Sequence, residues 1–292
     1  MIRLAASSAA GSPAATLDTI GLAADAGADL VLLPELAPVP WLVGAAPPAI
    51  GARAEAIDGA LMAAVRACAA ERHIAVMLPL PLQHGGSVFN AAVLIDAAGA
   101  IVAAEDGAGT AWPFAAKLHL PPAREGFGEP DHFVPGPAPV VHRWRGLTLG
   151  ALVCFDRRFP ECWRALRHLG ADIVLVPVGG PGGDAPGLFA AELRTHAKAN
   201  GVAVLAACRA GEERVGEVTV RHEGESCAIG ADGAMLTMAG KGGGLVIVDL
   251  DPATIVAARA ARPFLSLLRE DVAAGAYQPI ARGSQVARPG KA

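Results

Sequence analysis

Gly146-Leu147-Thr148-Leu149-Gly150-Ala151-Leu152-Val153-Cys154-Phe155-Asp156-Arg157-Arg158-Phe159-Pro160-Glu161 is the stretch from which the fold is read. Its first half is an apolar run of the kind a buried strand carries, and it ends in a charged turn. From Pro160 onward, Cys162, Trp163, Ala165, Leu166 and Leu169 recur at helical spacing. A cysteine therefore stands where a strand gives way to a helix. Sharp turns of this kind expose a nucleophile, and the backbone N–H groups of a first helical turn stabilise a thiolate or oxyanion. Cys154 also reads as a small apolar residue closing a strand, because free cysteine is among the most buried residue types. This stretch alone leaves the two readings level.

Working outward, Ala171-Asp172-Ile173-Val174-Leu175-Val176-Pro177 repeats the design of Ala28 to Pro34. Each is a Gly-Ala-Asp lead into a buried strand that ends in proline, and each follows a helix. Two β-α-β halves of one design suggest pseudo-symmetry. The first half reads as a strand over Ile2 to Ala6, then a helix over Ala14 to Ala26 with Leu17, Ile20, Leu22 and Ala23 inward. Its second strand is closed by Pro34-Glu35-Leu36. Open α/β sheets place their sites at such strand ends, so Glu35, among apolar neighbours, is a candidate as well as a loop carboxylate.

A helix is expected from Ile57 to Arg72, a strand over Ile74 to Met77, and another over Val88 to Asp96 that turns back as a hairpin through Ala100 to Ala104. In Ala116-Lys117-Leu118-His119-Leu120-Pro121, Lys117 and His119 share one side of a short extended segment and can face one cleft. Lys117 reads equally as a surface cation. The Gly- and Pro-rich loop around Gly126 to Gly136 is long enough to carry function. Further on, the pattern gives a helix over Ala190 to Asn200, a strand over Val202 to Ala207, and a hairpin from Cys227–Ile229 to Ala234–Met238. A strand over Gly244 to Asp249 and a helix over Pro252 to Ala261 follow. No interdomain linker interrupts residues 1–281, and residues 282–292 read as an irregular tail.

Composition narrows the classes. The chain has 292 residues, 53% of them hydrophobic, so it can bury a sizeable core and is not disordered. Lys and Arg total 24 against 28 Asp and Glu, which gives no electrostatic case for a nucleic-acid or anionic-membrane partner. Five scattered cysteines without a CxxC pair suggest neither a disulfide framework nor a zinc site, and fit a reducing compartment. No signal peptide is read at Met1-Ile2-Arg3-Leu4, and no apolar run reaches the roughly 18 residues of a membrane span. A cytoplasmic protein is expected.

Three motifs, in this order and spacing, resemble the nitrilase superfamily of carbon–nitrogen hydrolases: Leu33-Pro34-Glu35-Leu36, Lys117-Leu118-His119-Leu120-Pro121, and Val153-Cys154 through Glu161. Phe89-Asn90-Ala91-Ala92, Phe133-Val134-Pro135-Gly136 and Gly224-Glu225-Ser226 extend the likeness over nearly the whole chain. The resemblance implies an α/β fold, an αββα four-layer sandwich, with a Glu–Lys–Cys set at Glu35, Lys117 and Cys154. It implies a second glutamate four residues before Phe133, which is Glu129, with Glu125 as the competitor. It also implies no metal or organic cofactor, and a homodimer or larger even-numbered assembly formed through the helix after Pro160 and the C-terminal segment. Phe264-Leu265-Ser266-Leu267-Leu268 fits such a contact, being apolar ahead of a polar tail.

These residue types suit amide chemistry. An amide carbon is a poor electrophile, so a thiolate is needed and Cys154 must lose its proton. Glu35 can take that proton and return it to the leaving amine. Lys117, with a backbone N–H near Phe155, can stabilise the oxyanion, and Glu129 would orient Lys117. The Asp156-to-Glu161 continuation is most similar to the N-carbamoyl amino acid and N-carbamoyl amine amidohydrolases. Arg157 and Arg158 either hold a substrate carboxylate or brace the turn through Asp156 or Glu161. Phe114-Ala115-Ala116, His196-Ala197-Lys198-Ala199-Asn200 and Cys208-Arg209 depart from the family's usual residues and leave the substrate open. The expected function is a cysteine amidohydrolase of small linear amides or ureido compounds acting through a thioester. A nitrilase, an acyltransferase and a non-catalytic relative are the alternatives.

Overall fold

The computed structural model describes residues 1–123, 126–180, 184–215, 218–269 and 271–272. In chain order the first unit is β1 (Ile2–Ser7), α1 (Pro13–Asp25) and β2 (Leu30–Leu32). A two-residue β3 (Glu55–Ala56) and α2 (Ala60–Arg72) lead into β4 (Ala75–His84) and its hairpin partner β5 (Ser87–Ile95). Short strands β6 (Ala104–Asp106), β7 (Ala111–Trp112) and β8 (Ala115–Ala116) follow. Then β9 (Val140–Trp144) turns into β10 (Leu147–Ala151), and α3 (Pro160–His168), β11 (Ile173–Val178), α4 (Leu188–Asn200) and β12 (Ala203–Cys208) continue. Next come the paired strands β13 (Ala210–Val215) and β14 (Val218–Glu223), then β15 (Cys227–Ile229), β16 (Met235–Met238), β17 (Leu245–Leu250) and α5 (Pro252–Ala261).

Two large sheets result, ordered β17-β1-β2-β4-β5-β8, with β3 beside β4, and β16-β15-β12-β11-β10-β9-β6-β7, while β13 and β14 form a separate two-stranded sheet. Strand alternation sorts their side chains into layers. Leu4, Leu30, Leu32 and Met77 of the first sheet meet Leu149, Val153, Ile173, Leu175 and Leu205 of the second in one buried cluster. On the far face of the first sheet, Val31, Leu33, Val76 and Leu78 pack against Ile20, Met62 and Val65 of α1 and α2. On the far face of the second, Val174, Val176 and Val204 pack against Trp163, Leu166, Phe189 and Leu193 of α3 and α4. The arrangement is the expected four-layer αββα sandwich. Each buried side chain of this size contributes roughly 1.5–3 kcal/mol, against about 0–1 kcal/mol for an exposed ion pair. The apolar faces therefore hold the layers together.

The repeated Gly-Ala-Asp corners are built alike. Gly27 and Gly170 adopt φ of 74° and 91°, a left-handed conformation that favours glycine. Asp29 and Asp172 each bond twice to the preceding parallel strand: their N–H groups donate to Arg3 O and Thr148 O, and their carboxylates accept from Arg3 N and Thr148 N. The registers match, with Leu4 opposite Leu30 and Leu149 opposite Ile173. Both corners also gain an arginine, Arg145 on Asp29 and Arg259 on Asp172.

Several details differ from the sequence reading. Leu22 of α1 is 62% exposed, while Thr16 and Thr19 join Ile20 and Ala23 on the buried stripe. Their hydroxyls donate to Ser12 O and Ala15 O, which removes the penalty of burying them. β4 runs on to His84 through Pro79 and Pro81. The Pro79 carbonyl accepts from Ala37 N, so residue 79 turns its hydrogen-bonding edge away from β5 and its missing N–H breaks no hairpin bond. The segment after Gly99 bridges back only at Ile101, and β6 then pairs with β9 in the other sheet, so the expected Ala100–Ala104 strand is a crossing. Cys162, Trp163 and Leu166 of α3 are buried on their own sheet, whereas Phe264 and Leu267 are 41% and 71% exposed. The expected tail, 282–292, lies outside the described residues. Among the described residues no helix is long and apolar enough to cross a membrane.

Replacing Asp172 with alanine leaves Thr148 N–H without its carboxylate and Arg259 Nη1 without its ion pair, though Arg259 keeps the carbonyls of Gly201 and Ala171. Asp172→Ala is expected to lower unfolding stability by about 1–3 kcal/mol, measured by denaturant unfolding at neutral pH.

Candidate active site

The turn after β2 puts Glu35 inside the protein with no exposed surface. Leu36, next to it, takes a φ of 53°, which a non-glycine residue holds only where the surroundings enforce it. The Glu35 carboxylate is held by three donors. Oε1 accepts from Lys117 Nζ and Asn90 Nδ2, both at 2.8 Å, and Oε2 accepts from Gly179 N at 2.8 Å. The neighbouring Cys154 thiol helps to hold this carboxylate in its charged form.

Lys117 reaches it because β8 pairs with β5 and Lys117 N donates to the carbonyl of Asn90. Its ammonium lies 2.5 Å from Glu129 Oε1, and Asn90 Nδ2 spans the two carboxylates with a longer 3.5 Å contact to Glu129 Oε2. Cys154 opens the short 3-10 turn Cys154–Arg158 with a φ of 48°. Buried Asp156 fastens this turn to the lysine segment, accepting from Leu118 N at 3.0 Å and His119 N at 2.8 Å. The Cys154 turn and the Lys117 ammonium are thus held as one unit.

Charges in this enclosure follow from burial and proximity. Burial pushes the Glu35 carboxyl up, yet the Lys117 charge and the bonds from Lys117, Cys154 and Asn90 win, so it sits below its ordinary value. Burial opposes the Lys117 ammonium, and Glu35 and Glu129 overcome that and hold it well above its usual range. Glu129 is pushed up to about 7 by burial against the pull of Lys117, with the Glu35 charge adding to the push. The Cys154 thiol is pushed up to about 11 by burial and then by the Glu35 carboxylate, against Lys117 and Arg157. At neutral pH the resting pair is a thiol on a carboxylate, not a thiolate.

Lys117, Glu129 and Cys154 stand at the inner end of a cleft of about 900 Å³ whose apolar walls include Trp41, Phe127, Phe155 and Phe189. The structure brings Glu35, Lys117, Glu129 and Cys154 together, and Phe155, Arg157 and Arg158 also line the cleft. Glu125 lies outside the described residues. Both arginines pair with Asp184 and Glu192 rather than with Asp156 or Glu161: Arg157 at 3.2 and 3.0 Å, and Arg158 at 2.6 and 3.7 Å. His119 is placed elsewhere. The chain bends at Leu118, so strand alternation fails, and His119 stacks on Phe159 at 3.7 Å and bonds Asp156 through Nδ1 at 2.9 Å. Sequence reading passed over Gly179 and the pair Glu213 and His222. A Cβ on Gly179 would lie 2.1 Å from the Trp41 ring and 2.8 Å from Glu35 Oε2, so only glycine fits there. Among the described residues no group of three or more His, Cys, Asp or Glu side chains is placed to hold a metal ion.

The absorbance of thiolate near 240 nm tests the charge state. The difference between the protein and its Cys154→Ala variant should be nil at pH 7 and rise toward pH 11. Glu35→Gln removes the adjacent negative charge and should move that rise to lower pH.

The carbon–nitrogen hydrolase family model matches residues 4–260. A hydrolase from Pseudomonas protegens, encoded in the pqqF 5′ region, is 31% identical over 254 residues, which is 84% of this chain and 79% of that protein. An (R)-stereoselective amidase from a Pseudomonas species is 28% identical over 70% of this chain and 68% of its own length. Among solved structures, a cysteine-to-alanine mutant of the amidase from Nesterenkonia sp. AN1 in complex with butyramide superposes with a TM-score of 0.71. It shares 27% identity over 94% of this chain and 96% of that one. The chain belongs to the carbon–nitrogen hydrolase family.

Proposed function

We propose that the protein is a cysteine-dependent amidohydrolase that cleaves the non-peptide C–N bond of a small linear amide or N-carbamoyl compound through a thioester. One observation carries this reading: a buried ammonium is clamped by two carboxylates beside the Cys154 thiol, at the inner end of a cleft. As Cys154 Sγ attacks the amide carbon, its proton passes to Glu35. The carbonyl oxygen gains negative charge beside Lys117 Nζ and the Phe155 amide, where a prearranged donor is worth about 100- to 1000-fold in rate. Collapse of the tetrahedral adduct expels the amine, which takes the proton from Glu35 and leaves an acyl thioester. Water then attacks, gives one proton to Glu35, and the regenerated thiolate recovers that proton as the acid departs.

The walls of the cleft suit an uncharged substrate. Its phenylalanines and Trp41 offer apolar surface, and the two arginines already face Asp184 and Glu192, so a substrate carboxylate meets no unpaired guanidinium there. This favours aliphatic amides and neutral ureido compounds over N-carbamoyl amino acids. The butyramide bound to the Nesterenkonia amidase is a molecule of that kind.

Ammonia release from a panel of aliphatic amides, N-carbamoyl compounds and nitriles decides the matter. Neutral amides or ureido compounds should lead, and turnover of nitriles alone would overturn the reading. Cys154→Ala should fold and lose essentially all turnover, and acid-quenched wild type should carry an acyl mass on Cys154. Lys117→Ala should lose far more than about tenfold, because its charge acts in the transition state.

We also infer a two-fold homodimer in a cytoplasmic setting, using the exposed Phe264 and Leu267 after α5. Light scattering at low micromolar concentration should give twice the chain mass, and a stable monomer there would refute it.

A further inference from the structure

Around Glu35 runs a second circuit of buried polar contacts that the chemistry above does not use. It starts at Arg209, the first residue after β12, which is 1% exposed. Arg209 Nε donates to Glu35 O at 2.9 Å, and Nη2 donates to Leu36 O at 2.5 Å and Val39 O at 2.6 Å. One guanidinium therefore satisfies three carbonyls of the turn that carries Glu35, the same turn whose Leu36 is left-handed. Its remaining edge pairs with Glu213 on β13. Glu213 Oε2 accepts from Trp41 N at 2.8 Å, and Oε1 lies 3.3 Å from His222 Nε2 on β14. His222 Nδ1–H donates to the carbonyl of Gly179 at 2.6 Å, and Gly179 N closes the circuit by donating to Glu35 Oε2.

Such a circuit does what packing alone cannot. Arg209 fixes the backbone of Glu35, and His222 fixes the glycine whose N–H points at its carboxylate. Glu213, half-buried, pairs with Arg209 and stands 3.3 Å from His222 Nε2, and burial makes the bonds of Arg209 and His222 to the backbone expensive to lose. Burial would push the Glu213 carboxyl up, but His222, Arg209 and Trp41 N–H hold it down at about 2, so it stays anionic throughout the working range. The hydrogen bond from Gly179 is the contact to Glu35 Oε2, the oxygen that Lys117 and Asn90 do not touch.

The geometry points to Arg209, Glu213 and His222 as positioning residues that aim the Glu35 carboxylate at Cys154. This rests on the reading of Glu35 as the proton acceptor. Proton transfer between positioned groups tolerates little displacement: a 1 Å error costs on the order of 100-fold. The three residues do not line the cleft themselves and meet it only through Trp41, so their loss should fall mainly on turnover rather than on binding.

Steady-state kinetics of the full chain on its best amide test this, with His222→Phe, His222→Asn, Glu213→Gln and Glu35→Gln. His222→Phe breaks the bond to Gly179 and should lower kcat by about 10- to 100-fold with KM within about twofold. His222→Asn keeps a donor for Gly179 O and should recover most of that loss. Glu213→Gln keeps the shape but not the charge, and is the variant to use if His222→Phe does not fold. In the impaired variants the acid limb of kcat/KM should move to higher pH, because a weaker Gly179 bond leaves the Glu35 carboxylate less stabilised beside Lys117, Glu129 and Cys154. Folded variants with lower melting temperature but unchanged kcat and pH profile would overturn the positioning role. Glu35→Gln separates the two readings. If it abolishes turnover while the His222 and Glu213 variants stay active, only the positioning proposal falls. If it leaves turnover intact, the proton-acceptor role itself falls.

Discussion

A single ammonium buried between two carboxylates is the interaction on which this site depends. Taking Lys117, Glu35 and Glu129 out of water costs several kcal/mol for each charge, and their mutual attraction repays that only with short, well-aligned contacts. The contacts of 2.8 and 2.5 Å, with Asn90 spanning both acids, meet that condition. With one cation for two acids, the cluster separates their behaviour: Glu35 keeps its charge, while Glu129 holds a proton up to about pH 7. The same enclosure favours the protonated Cys154 thiol, so on the proposed mechanism reactivity waits for a bound electrophile that makes proton transfer to Glu35 favourable. A thiol stored in this form resists adventitious oxidation better than a standing thiolate does.

The sandwich explains how four residues so far apart in sequence meet. Glu35 and Gly179 follow equivalent strands of the two β-α-β units, one in each sheet. One unit supplies a side chain and the other a backbone N–H, so the pseudo-symmetry seen in the two Gly-Ala-Asp corners extends to the site as a division of labour. Cys154 follows β10, the neighbour of β11, while Lys117 follows β8 at the edge of the first sheet, and Asp156 ties their segments together.

Much of this was legible in the sequence, for identifiable reasons. Buried strands such as Ile173–Val178 are unbroken apolar runs, and helices such as Pro252–Ala261 carry their own start signals, here Asp251 accepting from Ala253 N. That Glu35, Lys117, Glu129 and Cys154 converge came from motif order, since spacing alone does not bring residues 35 and 154 together. What escaped was non-local. The β13–β14 pair has a short alternation in Val218-Thr219-Val220-Arg221, but its partner Gly211-Glu212-Glu213-Arg214 shows neither alternation nor an apolar run, so the sequence does not mark it as a strand pair. His119 misled for a related reason, because the period-two rule holds only while the chain stays extended, and it bends at Leu118.

The β13–β14 pair has a bearing on how substrate preference can drift. Val220 lines the cleft, and it stands directly opposite Glu213 and two residues from His222. Residues so placed share one face of a ribbon. The face that lines the cleft is therefore also the face that, on the proposal above, braces Glu35. Widening the cleft at this wall disturbs the brace, so a lineage that changes its substrate here must adjust both at once. Homologues with different preferences should differ along this ribbon by sets of compensating replacements, and transplanting one residue between them should carry less of the preference than transplanting the whole ribbon.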